Sequence, residues 1–358
     1  MQRRISIAIK TLIALTGLAV ALMAACNKPP SAAQAPVGPR PGLSTGQLAG
    51  FERGKLAFLK VFSPQEGMGP HFNERSCGAC HALPGPGGHE GMAKAARNSM
   101  DRGDINGFPQ QTLPGYAPLS LPKGQPVSLH RPPPLFGLGL LQDLPDQAIA
   151  DHCGRDPALG IHGIANVNAG ENAVGRFGYK AHTSSLRNFI ANALNLEMGL
   201  TNPAERDPRH FADADAVADP ELATATVDDL TAYVYGLPPP PPAQPNPQAE
   251  QLFAQVGCAN CHRPQTAPQV MAYSDLCVHD LGAAFDNGLP DFKAGPRHWR
   301  TAPLWGLRWR DRYFHDDRAT TLADAIARHD GEAAQVRQRF AALPAADQQI
   351  LIAWLRTL

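Results

Sequence analysis

The apolar and polar positions divide the chain into an apolar leader, a tether and two stretches of short helices. Ile5 to Ala25 is almost continuously apolar and follows the charged pair Arg3-Arg4. A basic start, an apolar run and closing small residues predict a signal peptide over 1–25. Residues 26–43 are rich in Pro, Ala and Gly and cannot bury a core, so a flexible tether is expected. Ser44 or Thr45 can cap a helix. Behind it Leu48, Phe51, Leu56, Leu59 and Phe62 recur at roughly helical spacing and predict its apolar face. A short helix is expected from Pro145-Asp146, and another from Ser184 or Ser185 through Leu186, Phe189, Ile190, Ala193 and Leu194 to near Gly199. A fourth runs from about Asp228 to Tyr235.

Pro238 to Pro242 is a run of five prolines, a stiff spacer that marks a domain boundary within a linker over 238–248. Ala249, Leu252, Phe253 and Val256 then predict a helix, and Ile350, Leu351, Trp354 and Leu355 an amphipathic closing helix within 345–358. Residues 63–76, 100–135 and 154–180 read as loops, and Pro84 to Gly91 as a glycine-rich turn. No run alternates well enough to predict a strand. The expectation is a mainly α body with long irregular Gly/Pro-rich loops, divided into domains over 44–237 and 249–358.

Composition narrows the function classes. With 33 Gly, 35 Pro and few aromatics, the chain fits a loop-rich body wrapped around cofactors. Basic and acidic residues balance at 32 each; without the first 25 residues they stand at 29 against 32, a charge of −3. Bulk charge therefore gives no reason to expect a nucleic-acid partner. Met23-Ala24-Ala25-Cys26 looks like a bacterial lipobox, which makes Cys26 a candidate lipidated first residue, held to the membrane by its lipid alone. Asn27 after it hints at the outer membrane. The alternatives are an ordinary cleaved signal with an incidental Cys26, and, more weakly, an uncleaved membrane helix. Each cleaved form exports the chain to the periplasm.

The chemistry lies in two hexapeptides. Ser76-Cys77-Gly78-Ala79-Cys80-His81 and Gly257-Cys258-Ala259-Asn260-Cys261-His262 both carry Cys-x-x-Cys-His, the attachment signature of c-type haem. Two thiols two residues apart can each form a thioether to one vinyl group of the same porphyrin. The adjacent His is then held under the iron as a proximal ligand. With 7 Cys and 13 His in 358 residues, one chance match is expected at roughly the half-per-cent level. A thioredoxin-like dithiol and a zinc knuckle are the alternatives, but zinc pairs do not require a His at this place, and no βαβ redox context surrounds either motif. Two covalent haem c groups, on Cys77, Cys80 and His81 and on Cys258, Cys261 and His262, are expected. A helix leading into the second motif, with a closing helix packed on it, is how small cytochrome c domains are built.

Several segments extend the pattern: Gly69-Pro70-His71-Phe72-Asn73-Glu74-Arg75-Ser76-Cys77, Arg131 to Leu141, Gly175 to Ala181, Tyr273 to Leu276, His279 to Gly282, Trp299 to Gly306 and His315 to Ala319. Through them nearly the whole mature chain resembles the di-haem oxidoreductase (peroxidase) family, also labelled thiol oxidoreductase. It is more distantly similar to bacterial di-haem cytochrome c peroxidase and the methylamine-dehydrogenase maturation enzyme. The resemblance implies two cytochrome c-like haem domains facing each other. Peroxide meets the N-terminal haem in the relatives, and electrons enter through the C-terminal one.

Carried over by position, the distal ligand of the second haem falls on His329, fourteen residues after His315 in Phe314-His315. The relatives have Met or Tyr there; the alternative is a His that merely ends a helix. His315 is the runner-up ligand and otherwise orders the wall between domains. The relatives' pocket acid falls on Glu197, which is otherwise an ordinary helix-end Glu, and their pocket Gln on Arg187, a departure. His71, His89, His130 and His182 are candidate sixth ligands of the first haem, each also explained as a surface or structural His. A Trp lies between the haems in relatives, where this chain has Phe177 or Tyr179, as a relay or as packing. Relatives hold an interdomain calcium on largely backbone ligands, for which this sequence gives no evidence either way. Cys153 and Cys277 can pair in an oxidising compartment or stay as buried thiols.

Three functions follow from these expectations. The first is a peroxidase that takes electrons from a small cytochrome or cupredoxin and spends them on hydrogen peroxide. The second is an oxidase of a protein or organic substrate, and the third a pure electron-transfer cytochrome. The thiol label finds no support, since the motif thiols are consumed by haem.

Overall fold

Ser44 opens the first helix with a capping box: its side chain accepts from the Gln47 N–H while Gln47 returns a bond to the Ser44 N–H. This helix, α1 (Thr45–Leu59), is seen in a computed structural model that describes residues 38–81, 93–96, 106–120, 123–204, 213 and 215–358. The expected signal peptide, Cys26, the tether up to residue 37, the Pro84–Gly91 turn and His89 lie outside the described residues.

The buried face of α1 is not the expected one. Phe51 and Phe62 are buried, but Leu48, Leu56 and Leu59 are 39%, 72% and 53% exposed. The inner face is instead Gly50, Phe51, Gly54 and Phe58. It lies against α6 (Thr224–Gly236) so closely that a Cβ on Gly54 would stand 1.9 Å from the Asp229 carbonyl oxygen. Glycine supplies no hydropathy signal, so backbone proximity overrode the leucine spacing.

The remaining helices follow local chemistry. A single turn, α2 (Cys77–Cys80), is capped by Ser76, whose Oγ accepts from the Ala79 N–H. Two short helices follow, α3 (Leu138–Gln142) and α4 (Asp146–His152). Ser185 caps α5 (Leu186–Met198), and Gly199 ends it in the left-handed region at φ 66°. The fourth expected helix is α6, which starts at Thr224, a turn before Asp228. Asn246 caps α7 (Pro247–Val256), with Pro247 at its first position and Gly257 past its end. Thr321 caps α8 (Leu322–Arg328); α9 (Ala334–Ala341) and α10 (Ala345–Leu355) complete the chain. As expected, α10 packs on α7, with the Phe253 and Trp354 rings 5.4 Å apart.

The described residues also contain strands where none was expected. They form four antiparallel pairs and one three-stranded sheet, each strand two to four residues long. Alternation cannot be read over such lengths. One pair, Val278–Asp280 with His298–Arg300, matters for the site.

Among the described residues two large hydrophobic cores result, beside a small cluster of Ala181, Val278 and Ala294. The first gathers Phe51, Phe58, Leu141, Leu194 and Leu230, and receives Val270, Leu276 and Trp305 from beyond the prolines. The second is built on Phe253, Leu322, Phe340, Leu351 and Trp354. Arg308 holds the proline run by donating to the Pro241 and Pro242 carbonyls at 2.9 and 3.1 Å. Cys153 and Cys277, left open by the sequence, form a disulfide across 124 residues with Cα atoms 5.4 Å apart. Among the described residues no helix is long and apolar enough to cross a membrane.

Candidate functional site

The first motif opens onto a cavity of about 260 Å³. Cys77 and Cys80, one helical turn apart on α2, and His81 after them share its wall with Glu197, Phe177 and Tyr179. Much of the rest is apolar, including Leu135, Leu138, Phe189, Ile190, Leu194 and Val234. Burial pushes the Cys77 and Cys80 thiols up to about 12. Such thiols stay protonated, the reverse of an activated redox dithiol. An apolar cavity with two inert thiols and an imidazole at one edge fits a covalently held haem and not a thioredoxin-like centre.

Glu197 stands at the C-terminal end of α5. Its backbone oxygen accepts from the Asn73 N–H at 2.7 Å, which binds this helix end to the segment before the motif. The Asn73 amide also donates to Glu197 Oε2 at 2.5 Å. Burial raises the carboxyl above its ordinary range, partly opposed by that bond. Arg187, where relatives have their pocket Gln, does not line the cavity and pairs with Asp228 at 2.7 Å. Of the candidate sixth ligands, His130 and His182 line the cavity. Burial lowers both, to about 3 and about 4, so both are neutral imidazoles. His71 lies outside the cavity lining and bonds to Thr112 at 3.1 Å.

The second motif brings His262 and His329 together. Their ring centroids are 6.4 Å apart. His262 Nδ1 meets the Tyr273 carbonyl at 3.1 Å, and His329 Nδ1 meets the Ala325 carbonyl at 2.8 Å. With Nδ1 donating in each, Nε2 is left as the lone-pair nitrogen. Burial lowers both imidazoles, His262 to about 4, so both are neutral and able to ligate. Two imidazoles that share one metal atom at about 2.0 Å each have centroids roughly 6 Å apart. The pair therefore fits a bis-imidazole iron. His329 sits just past the end of α8, as its C-cap residue, rather than on the helix. The Cys258 thiol is pushed up to about 12 and that of Cys261 is raised, both by burial first.

Aromatic rings join the two centres. Tyr179, on the first cavity, lies 6.4 Å from Trp299, which stacks on His315 at 3.6 Å and 11°. His315 reaches Phe285 at 6.4 Å, Phe285 reaches Phe314 at 4.8 Å, and Phe314 reaches His329 at 5.5 Å. His130 touches Tyr179, Trp299 and His315 from the side. Phe177 lines the cavity but has no ring contact in this set. Sequence reasoning points to Tyr179 and His315 but assigns no role to Trp299, although it opens one of the segments that carry the family resemblance.

A buried charge network beside the second motif also escaped the sequence reading. His279 Nε2 meets Asp275 at 2.9 Å and its Nδ1 meets Glu332 at 2.8 Å; Cys261 Sγ is 3.8 Å away. Burial alone would lower this imidazole, but its hydrogen bonds outweigh that and raise it to about 12. His279 is thus an imidazolium between two carboxylates. The Asp275 N–H also donates to the Cys261 carbonyl at 2.9 Å, which ties the network to the motif.

Two sites, each with paired thiols and an imidazole, bridged by packed rings, define a two-centre redox protein. The chain belongs to the di-haem oxidoreductase family: the family described as "Di-haem oxidoreductase, putative peroxidase" matches residues 127–358. That stretch contains the second motif; the first precedes it. Among solved structures, xenon-pressurised Kuenenia stuttgartiensis hydrazine synthase is similar at 14% identity and a TM-score of 0.43, over 92% of this chain and 96% of that one. No curated protein matches the chain.

Proposed function

We propose that this di-haem oxidoreductase is an exported c-type peroxidase. Cys77, Cys80 and His81 would hold one haem over the first cavity, and Cys258, Cys261, His262 and His329 the other. The two would belong to cytochrome c-like domains over 44–237 and 249–358. When bound, haem iron supplies the redox chemistry for reducing peroxide to water, which consumes two electrons and two protons. The observation that carries the reading is Glu197, a desolvated carboxylate on the same cavity as the first motif.

Its role is proton handling. Glu197 takes a proton from one peroxide oxygen and returns it to the other as the O–O bond breaks. Asn73 holds Oε2, which aims the carboxylate and keeps Oε1 for the substrate. His130 and His182, as neutral imidazoles, add no positive charge of their own near that carboxylate. Tyr179, Trp299 and His315 would carry electrons from the His262–His329 side. A small cytochrome or cupredoxin would supply them, the protein being tethered through a lipid on Cys26 to the periplasmic face of the outer membrane. An interdomain calcium, carried over from relatives, has no supporting observation among the described residues.

The test is Glu197→Gln in the mature holoprotein, with reduced cytochrome as donor. Peroxide turnover should fall by about 10²–10⁴-fold. Near-native turnover would remove Glu197 from the mechanism. Two low-spin irons in the oxidised protein would replace the peroxidase by an electron-transfer cytochrome.

A further inference from the structure

Four cationic side chains line the first cavity, and three of them are neutralised or capped. Arg131 ion-pairs with Asp317 at 2.8 Å, and Arg176 pairs with Asp146. Lys180 donates to the carbonyls of Gly295, Pro296 and His298 at 2.9, 3.2 and 2.8 Å. Arg300 differs. Its Nε donates to the Gly178 carbonyl at 2.8 Å and its guanidinium reaches the Thr301 carbonyl at 3.4 Å, but among the described residues no carboxylate pairs with it.

Arg310 adds a second such charge. It stands close enough to Arg300 and Tyr179 for its charge to be felt at both, and its side chain has no hydrogen bond or ion pair among the described residues. Burial depresses both guanidinium groups, Arg300 to about 10. The three acids on the cavity do not serve them: Asp291 faces His182 at 3.5 Å, Glu197 is held by Asn73, and Glu74 makes no ion pair with either guanidinium among the described residues. Two half-buried guanidinium groups with no ion-paired carboxylate are costly, and a planar fork of donors matches a carboxylate. Much of the remaining lining is apolar. A largely apolar cavity with a guanidinium that no carboxylate pairs suits a flat apolar ring system that bears carboxylates.

We propose that Arg300, with Arg310 behind it, is the seat for the carboxylates of the haem held by Cys77, Cys80 and His81. The proposal rests on the haem-attachment reading and not on peroxidase activity. Both guanidinium groups act as positioning residues. They fix the rim of the ring and place positive charge beside the iron, which favours the reduced form.

The experiment uses the mature holoprotein with both haems attached, as wild type, Arg300→Gln and Arg300→Lys. The midpoint of each haem is followed by spectroelectrochemistry, and the haem carboxylate bending bands by resonance Raman. In Arg300→Gln the first haem should favour its oxidised form by at least tenfold, a fall of 59 mV for one electron. Its carboxylate band should move, the second haem should not change, and Arg300→Lys should recover most of the midpoint. An unchanged midpoint and band would overturn the proposal. Weaker acetate binding at an unchanged midpoint would overturn it too, by assigning Arg300 to a carboxylate substrate. If Arg300→Gln does not retain haem, Arg310→Gln must lower the same midpoint, and no shift there overturns the proposal. A variant set that shifts as expected in a protein without peroxide turnover sinks the peroxidase reading alone. Absence of haem from the first motif sinks both.

Discussion

Replacing Cys153 and Cys277 by alanine removes a cross-link that closes 124 residues. In the chain-entropy account, a loop of that length holds roughly 5 kcal/mol of denatured-state freedom out of reach. The cost to the native state should be smaller: Cys277 is fully buried, and alanine leaves only a sulfur-sized void there. Unfolding of the unit Gln34–Leu358 carries an entropy of roughly 2 cal/mol/K per residue, so 5 kcal/mol corresponds to a fall in Tm of roughly 7 °C. Thermal unfolding of the oxidised holoprotein, followed by circular dichroism, measures it. Because either single alanine breaks the same bridge, Cys153→Ala, Cys277→Ala and the double variant should fall by similar amounts. An unchanged Tm in the double variant, or additive effects of the singles, would refute the cross-link account.

His329→Met should raise the midpoint of the second haem, since Met/His ligation gives higher potentials than bis-His; an identical midpoint and spectrum exclude His329 as a ligand. His279 has its folded-state pKa raised from 6.5 to about 12, so the stability it contributes is complete below about pH 6.5 and is lost as pH rises towards 12. Urea midpoints between neutral and alkaline pH should fall in the wild type and be flatter in His279→Gln; parallel slopes would remove His279 as the cause. Gly54→Ala should destabilise the fold by about 1–3 kcal/mol, since the new methyl meets the Asp229 backbone. A urea midpoint equal to wild type would show that α1 can move away at no cost.

Much of this architecture was legible wherever side chains speak locally. Ser44, Ser185 and Gly199 marked helix ends because capping is a one-residue decision, and the structure uses all three. Motif spacing alone put Cys77, Cys80 and His81 together, since five consecutive residues cannot separate. The partnership of His262 with His329, 67 positions apart, came from family resemblance and could not have come from periodicity. Arg300 and Glu332 gave no signal, because a lone charge in a sequence does not say whether a partner waits across the fold. Trp299 was passed over for a similar reason: its importance is its stacking on His315, a contact between a strand and a loop. The short strands were missed because alternation needs more positions than they possess.

The bare inner side of the first helix bears on how this protein can vary. Any residue larger than hydrogen at position 54 has to displace the Asp229 main chain, and that same aspartate holds Arg53 at 2.7 Å. Residue 54 can therefore be exchanged only together with a wider helix spacing, which would loosen Phe51 and Phe58 against Tyr233. The Phe58 ring also stands 6.3 Å from the imidazole of His81. A methyl group added at a site of no chemical interest would thus be felt where the iron's ligand is held.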